Sequence, residues 1–234
     1  FSNNDIFSLI DDISIFIRKG VGLPQAHLEQ SIDLPASNLL TTSIEAFQKY
    51  SEGRVRIEDK YEEAVVFLEE AVKIDDSFVY AYKELFSVYQ SIGNTEKELH
   101  VINKLVDNIY KLPEKFRFFP NVLYYFYNKQ PDKAFKVTQM QTKLFPHDMM
   151  AYNILASFYS MRADYENVIE QYKKILELYQ NQYGSDAVST TIWRIGNTYF
   201  YYLGDYENAL KYYLIHLKEY PDDYTIYNQL GKVY

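Results

Sequence analysis

The stretch YNILASFYSMRADYENVIEQYKKI, residues 152–175, decides the fold of this chain. Its apolar and aromatic side chains recur three and four residues apart in two runs, which places one apolar stripe on each of two helices. Asp164 lies between the two runs, where the chain must reverse its direction. Ala156 is small enough to let two antiparallel helices approach closely. The stretch therefore predicts a helical hairpin with one apolar side.

The same ladder of positions recurs along the chain. The second helix of each copy is marked by one position, which is occupied by Ala64, Glu98, Ala134, Val168 and Ala209. The steps between these markers are 34, 36, 34 and 41 residues. The last step contains one extra turn residue, because Tyr199 precedes Ala209 by ten residues instead of nine, and we expect the other extra residues within Gln180–Ser189. A single hairpin cannot bury its own apolar face, so this period predicts a stacked array.

This pattern resembles the tetratricopeptide repeat family, whose signature is W-x-x-L-G-x-x-Y, followed by A-x-x-x-F, A and P. The resemblance implies an all-α fold, a right-handed α-α superhelix of about five helical hairpins with a truncated last repeat. The expected repeats are residues 45–78, 79–112, 115–148, 149–182, 189–223 and the partial copy 224–234. The chain departs from the signature at Glu98, which takes the place of a small residue, and it has Tyr or Ile in place of the first Trp.

The residues before the repeats form a segment of their own. Residues 3–19 have an amphipathic helical pattern that ends at Gly20, and a mostly polar, proline-bearing link follows. We predict that residues 1–36 are an N-terminal helix and linker and that residues 37–234 are the repeat array. The segment also resembles the junction after a TolB-like domain in bacterial multidomain repeat proteins.

That second resemblance implies that the segment is the tail of a preceding domain. The chain begins at Phe1 rather than Met and stops at Tyr234 inside a predicted helix, so we expect a fragment of a larger bacterial signalling protein. The alternative is a capping helix that covers the first repeat, which needs no preceding domain.

Composition limits the classes of partner. The chain carries 32 acidic and 24 basic side chains, a net charge of -8, and such a surface repels phosphate backbones. We therefore expect a protein or peptide partner, neutral or basic rather than acidic, and no nucleic acid.

No apolar run approaches the about 18 residues of a membrane span, so we expect no membrane insertion. The absence of cysteine excludes disulfides and leaves the compartment open, with the cytoplasm favoured and the periplasm possible.

The sequence offers no arrangement of residues typical of catalysis. The histidines are isolated from one another, at His27, His100, His147 and His216. Adjacent carboxylates such as Glu62 and Glu63 do not face each other on a helix. General acid–base chemistry requires groups that converge in a pocket, and metal binding on a helix requires ligands one turn apart. We therefore expect structural or surface histidines, no metal, no cofactor and no enzymatic activity.

The resemblance implies that a partner binds to the first helices, which line the concave surface of such arrays. The positions that face the partner, carried over residue by residue, are Tyr80, Lys83, Ser87, Asn153, Ser157, Trp193, Arg194, Asn197, Tyr201 and Asn228. Asparagines can hold an extended peptide through its backbone amides, and aromatic rings supply contact area. Repeats that clamp a C-terminal carboxylate combine a lysine with an asparagine. Ser87 follows Lys83 here, and Arg194 with Asn197 and Lys232 matches that clamp only in part.

We predict a protein–protein interaction scaffold that binds a peptide or protein in the concave groove. Two alternatives stay open. A structural spacer or self-association module would form homo-oligomers, and its light scattering would depend on concentration. A ligand-sensing superhelix would instead enclose a small molecule in a deep pocket.

Overall fold

The computed structural model of the chain describes residues 41–179 and 186–233, together with five helical residues near the amino terminus: Ser8, Leu9, Asp12, Ile13 and Phe16. The rest of the predicted helix over residues 3–19, the linker and the predicted boundary near residue 36 lie outside the described residues. So do residues 180–185, within which extra residues of the last full repeat are predicted. The chain divides into two compact units, residues 1–134 and 135–234.

From residue 41 onward, the regular structure of the described residues is helical throughout. The α-helices are α1 (Ile44–Arg56), α2 (Tyr61–Ile74), α3 (Val79–Ile92), α4 (Thr95–Asp107), α5 (Phe118–Tyr127), α6 (Pro131–Leu144), α7 (Met149–Met161), α8 (Tyr165–Tyr179), α9 (Asp186–Thr198), α10 (Tyr206–Glu219) and α11 (Tyr224–Val233). Helices α1 and α2, α3 and α4, α7 and α8, and α9 and α10 pack as hairpins. The predicted all-α fold of helical hairpins is confirmed.

In four of the turns that follow a first helix, one residue adopts the left-handed conformation, whereas α1 is capped by Ile57 with a φ of -61°. The four left-handed residues are Gly93 at φ 72°, Lys129 at φ 58°, Ala163 at φ 55° and Gly204 at φ 64°. Glycine adopts this conformation without steric penalty, whereas a side chain disfavours it. The predicted turns at Gly93 and Gly204 are confirmed. In the α7–α8 hairpin the left-handed residue is Ala163, one position before the predicted Asp164.

The residue after each left-handed position closes the turn. In the α3–α4 hairpin, the amide of Asn94 donates to the Tyr89 carbonyl at 2.9 Å. The Asn94 side chain then accepts from the Lys97 amide at 3.2 Å and so caps α4. Asp164 occupies the same place in the α7–α8 hairpin, and its side chain accepts from the Asn167 amide at 3.4 Å. One residue therefore both ends the reversal and starts the second helix.

Small residues bring the paired helices together, as the sequence predicts. Ala64, Ala156 and Ala209 are fully buried. A Cβ atom on Gly196 of α9 would lie 2.7 Å from Cε1 of Tyr213 in α10, which is closer than carbon atoms can approach. Glycine at position 196 is therefore required by the close contact with the second helix.

Glu98 is buried at the position where the signature has a small residue. The hydroxyl of Tyr127, on α5, donates a hydrogen bond to its carboxylate. Burial has the largest effect on the pKa of Tyr127, and together with the hydrogen bond to Glu98 it raises that pKa to about 12. The hydroxyl therefore keeps its proton at neutral pH. The departure from the signature is thus compensated by a tyrosine from the next first helix of the first unit.

The extra residue between Tyr199 and Ala209 takes the form of a π-helical turn. Helix α9 continues as a π-helix over Tyr199–Leu203 and ends at Gly204. The amide of Asp205 consequently reaches back six residues to the Tyr199 carbonyl at 3.0 Å. A π-helical turn absorbs one additional residue without breaking the helix and is often found at functional sites.

In the second unit, a polar side chain near the end of one second helix holds the cap of the next first helix. Gln141 of α6 donates to Asp148 at 3.0 Å, and Asp148 caps α7. His216 occupies the equivalent place on α10, and its Nε2 lies 2.8 Å from the carboxylate of Asp223, directly before α11. His216 is buried. The structural role predicted for this histidine is therefore observed.

Candidate partner-binding faces

The first unit has an open cavity between α1 and α3. It measures about 550 Å³ and is lined by Phe47, Tyr50, Ser51, Arg54, Val55 and Tyr80. Tyr80 is the residue predicted from the sequence, and it is half-buried against the core. The five α1 residues were not predicted, because the first helix of the first repeat lacks the typical positions. The spacing of Phe47 and Ser51, four residues apart, could have indicated that both lie on this face of α1.

Lys83 and Ser87 follow Tyr80 along α3. Both are exposed, at positions three and seven residues after Tyr80, so the three predicted residues lie on one side of the helix. The Ser87 carbonyl accepts from the Ser91 hydroxyl at 3.0 Å, within the same helix. The predicted face of the first unit thus combines a half-buried aromatic ring with two exposed polar side chains.

In the second unit, two predicted residues on neighbouring first helices contact each other. Arg194 of α9 donates through Nη1 to the side-chain oxygen of Asn153 on α7 at 3.1 Å. The guanidinium also lies 5.9 Å from the ring centre of Tyr172 on α8. Ser157, one turn beyond Asn153, is exposed, and its hydroxyl donates to the Asn153 carbonyl at 3.1 Å.

A second link joins the π-helical turn to α11. The hydroxyl of Tyr201, a half-exposed residue, donates to the side-chain oxygen of Gln229 at 2.9 Å. Lys232, one turn further along α11, places its Nζ 3.4 Å from the Tyr201 hydroxyl. Asn228 is exposed beside Gln229. Helices α7, α9 and α11 therefore present one connected surface, the first-helix face of the second unit, comprising Asn153, Ser157, Arg194, Tyr201, Asn228 and Lys232.

Trp193 and Asn197 are directed more toward the interior than their predicted role requires. Trp193 is half-buried against a cluster that includes Ala209 and Tyr213, and its indole nitrogen is buried with no hydrogen-bond partner among the described residues. The side-chain oxygen of Asn197 accepts from the Tyr213 hydroxyl at 2.8 Å. Burial raises the pKa of Tyr213 to about 12, so this hydroxyl remains a donor. These contacts hold the α9–α10 hairpin together.

A second cavity, of about 470 Å³, lies among α2, α3 and α4 of the first unit, away from Tyr80. Glu69, at its wall, accepts from Lys97 and from the Tyr89 hydroxyl, each at 2.5 Å. Burial alone would raise the pKa of Glu69, but these two hydrogen bonds lower it below its usual value. Glu69, Lys97 and the Tyr89 hydroxyl therefore satisfy one another.

Neither a metal centre nor a membrane span is present in the part of the chain that the structure describes. No three side chains of the His, Asp or Glu types gather there in a group that could hold a metal ion. None of the helices there combines the length and apolar character needed to cross a bilayer.

Hairpins stacked through small residues, with polar side chains on their first helices, define a helical-repeat protein. Residues 148–214 match the family model of the tetratricopeptide repeat. This match spans α7, α8, α9 and part of α10, so the predicted tetratricopeptide repeat is confirmed for these residues. No curated protein matches the chain.

Solved structures share the fold over most of the chain. One is YrrB, a tetratricopeptide repeat protein described as having an unusual peptide-binding site, with 18% identity, 80% of this chain and 92% of that chain covered, and a TM-score of 0.52. Another is the APC/C hetero-tetramer Cut9–Hcn1, with 17% identity, coverage of 81% and 36%, and a TM-score of 0.63. A third is a thermophilic tetratricopeptide repeat protein from Thermus thermophilus, with 14% identity, coverage of 80% and 98%, and a TM-score of 0.55. At these identities the similarity establishes the fold.

Proposed function

We propose that this chain is a non-enzymatic interaction scaffold that binds an extended peptide segment of a protein partner on the first helices of its hairpins. The tetratricopeptide repeat fold is that of a protein–protein interaction scaffold. The observation that supports this binding surface is the first-helix face of the second unit, where Arg194 contacts Asn153 and Tyr201 contacts Gln229. Side chains tied to their neighbours lose little freedom when a partner binds, which favours affinity.

The first unit supports the same proposal independently. The cavity at Tyr80 has aromatic walls and one arginine, which suits an apolar anchor residue of a partner. YrrB, one of the structural neighbours, is described as having a peptide-binding site. Attachment to a larger bacterial signalling or regulatory protein belongs to this proposal as well, and it rests on the resemblance of the N-terminal segment.

The experiment selects peptides against the whole chain from a displayed random library and then measures their affinity for blocked variants. Ser157→Tyr and Ser87→Tyr place a bulky side chain on exposed first-helix positions of the two units. The matched controls, Leu214→Tyr and Val66→Tyr, place the same side chain on exposed second-helix positions. We expect the selected peptides to lose binding to at least one first-helix variant and to keep binding to both controls. Peptides that ignore both first-helix variants would refute the proposed surface.

A further inference from the structure

An exposed aromatic cluster surrounds the π-helical turn of the second unit. The Tyr165 ring, at the start of α8, stacks on the Tyr202 ring with 4.4 Å between the ring centres and 17° between the ring planes. Phe200, in the same π-helical turn as Tyr202, meets the Tyr206 ring at the start of α10, with 5.4 Å between the ring centres. Tyr202 and Tyr206 are 58% and 55% exposed. These four residues form one aromatic surface, the tyrosine edge, at the turns of two neighbouring hairpins.

The tyrosine edge combines apolar ring faces with unpaired hydroxyl groups. The hydroxyls of Tyr165, Tyr202 and Tyr206 have no hydrogen-bond partner among the described residues. Exposed apolar side chains that gather in one patch mark interaction sites on folded proteins. Tyrosine supplies a large contact area at a low cost in conformational entropy, because its side chain has only two torsion angles. The tyrosine edge is therefore suited to a partner that offers apolar groups together with hydrogen-bond acceptors.

Carboxylates accompany the exposed rings. The tripeptide Asp-Tyr-Glu occurs at residues 164–166 and again at 205–207, so two of the rings stand between acidic neighbours. The two glutamates, Glu166 and Glu207, are exposed. In the part of the chain that the structure describes, neither glutamate lies at ion-pair distance from a cation. A partner with positive charge next to its apolar groups is complementary to this surface.

A proline-rich segment has the chemistry that the tyrosine edge lacks. Its polyproline helix makes no internal hydrogen bonds, so its carbonyl groups are free to accept hydrogen bonds from tyrosine hydroxyls. Proline has no amide hydrogen and therefore needs no acceptor from the protein. Aromatic surfaces bind such segments because the helix is already formed and loses little entropy on binding.

We propose that the tyrosine edge binds a proline-rich segment that carries lysine or arginine next to its prolines. The prolines pack on the rings of Tyr202 and Tyr206, and the basic side chains approach Glu166 and Glu207. The tyrosine edge shares no residue with the first-helix face of the second unit. The inference therefore adds a second binding surface to the proposed function.

The test measures fluorescence polarisation of three labelled peptides with the whole chain. They are an oligoproline flanked by lysines, the same oligoproline flanked by glutamates, and a glycine–serine peptide flanked by lysines. We expect the first to bind most tightly at low ionic strength. Tyr202→Ser and Tyr206→Ser should each weaken it about fivefold or more. Tyr110→Ser, which removes an exposed tyrosine from the first unit, should leave it unchanged.

A double variant tests the charge preference without removing a ring. Glu166→Gln combined with Glu207→Gln should abolish the advantage of the lysine-flanked oligoproline over the glutamate-flanked one, since both changed residues are exposed. Circular dichroism should show unchanged helical content. This variant keeps the proposal testable if a serine variant fails to fold.

Several outcomes would overturn the inference. These are no binding of the oligoproline, equal affinity for the glycine–serine peptide, or equal effects of Tyr202→Ser and Tyr110→Ser. Self-association of the chain that Tyr202→Ser abolishes, without binding of the oligoproline, would assign the surface to a second copy instead. If Ser157→Tyr abolishes binding of the oligoproline and Tyr202→Ser does not, the proposed function stands and the tyrosine edge alone is wrong.

Discussion

Ala163→Gly is expected to stabilise the protein, against the usual effect of glycine. Ala163 is exposed and has a φ of 55°, in the left-handed region. A side chain there costs roughly 1–2 kcal/mol of strain, which glycine removes. Glycine also increases the entropy of the unfolded chain, which costs about 0.5–1 kcal/mol. The expected net gain is about 0.5–1 kcal/mol, or a rise of about 1–4 °C in the midpoint of thermal unfolding for a chain of this size.

The assay is thermal and urea unfolding followed by circular dichroism, with two comparisons. Gly93→Ala makes the reverse change in another hairpin, at a φ of 72°, where an added Cβ meets nothing within 4 Å, so strain alone should destabilise it by about 0.5–1 kcal/mol. Ala187→Gly changes an exposed residue in the right-handed α9 and should also destabilise, by up to about 1 kcal/mol. If Ala163→Gly lowers the midpoint as Ala187→Gly does, the argument from left-handed strain is refuted.

Two further predictions concern contacts between helices. Gly196→Ala should destabilise by roughly 1–3 kcal/mol in urea unfolding, since its Cβ would stand 2.7 Å from the Tyr213 ring, whereas Gly231→Ala, with open space around it, should be neutral or stabilising. Equal effects of the two changes would contradict the close approach. Tyr127→Phe should cost about 2–3 kcal/mol in the same assay, because it leaves the buried Glu98 carboxylate without its donor. Adding Glu98→Ala should restore part of the loss, and a double variant as unstable as the single one would refute that explanation.

The sequence predicts the hairpins because their positions follow a repeat that many residues share. Leu155, Ile195 and Ala209 are buried where the period places them. Asp164 lies in the turn between α7 and α8 as predicted, but the left-handed conformation of Ala163 beside it was not predicted, because alanine gives no sequence signal for that conformation. Geometry that depends on the backbone angle of one residue is harder to predict than a pattern repeated over many.

The candidate site was predicted less completely. The repeat pattern assigned Arg194 and Asn153 to one face, but their contact depends on how α7 and α9 are offset, which the spacing alone does not determine. It assigned Trp193 and Asn197 to the same face, although Tyr213 draws the Asn197 side chain toward α10. A residue at the edge of the buried stripe of a helix can point either to solvent or to the paired helix. At Asn197 the large Tyr213 side chain of the paired helix reaches far enough to bind it.

One departure from the repeat signature, the extra residue after Tyr199, is not needed to build a hairpin. The shared positions build the hairpins, and any chain with the fold must keep them. The extra residue after Tyr199 has no such role, because the turns that contain Gly93 and Ala163 form without one. Its effect is to lengthen α9 by a π-helical turn, from which the Tyr201 hydroxyl reaches Gln229 and lies beside Lys232 on α11. The insertion therefore leaves the hairpin intact and connects α9 to α11 through Tyr201.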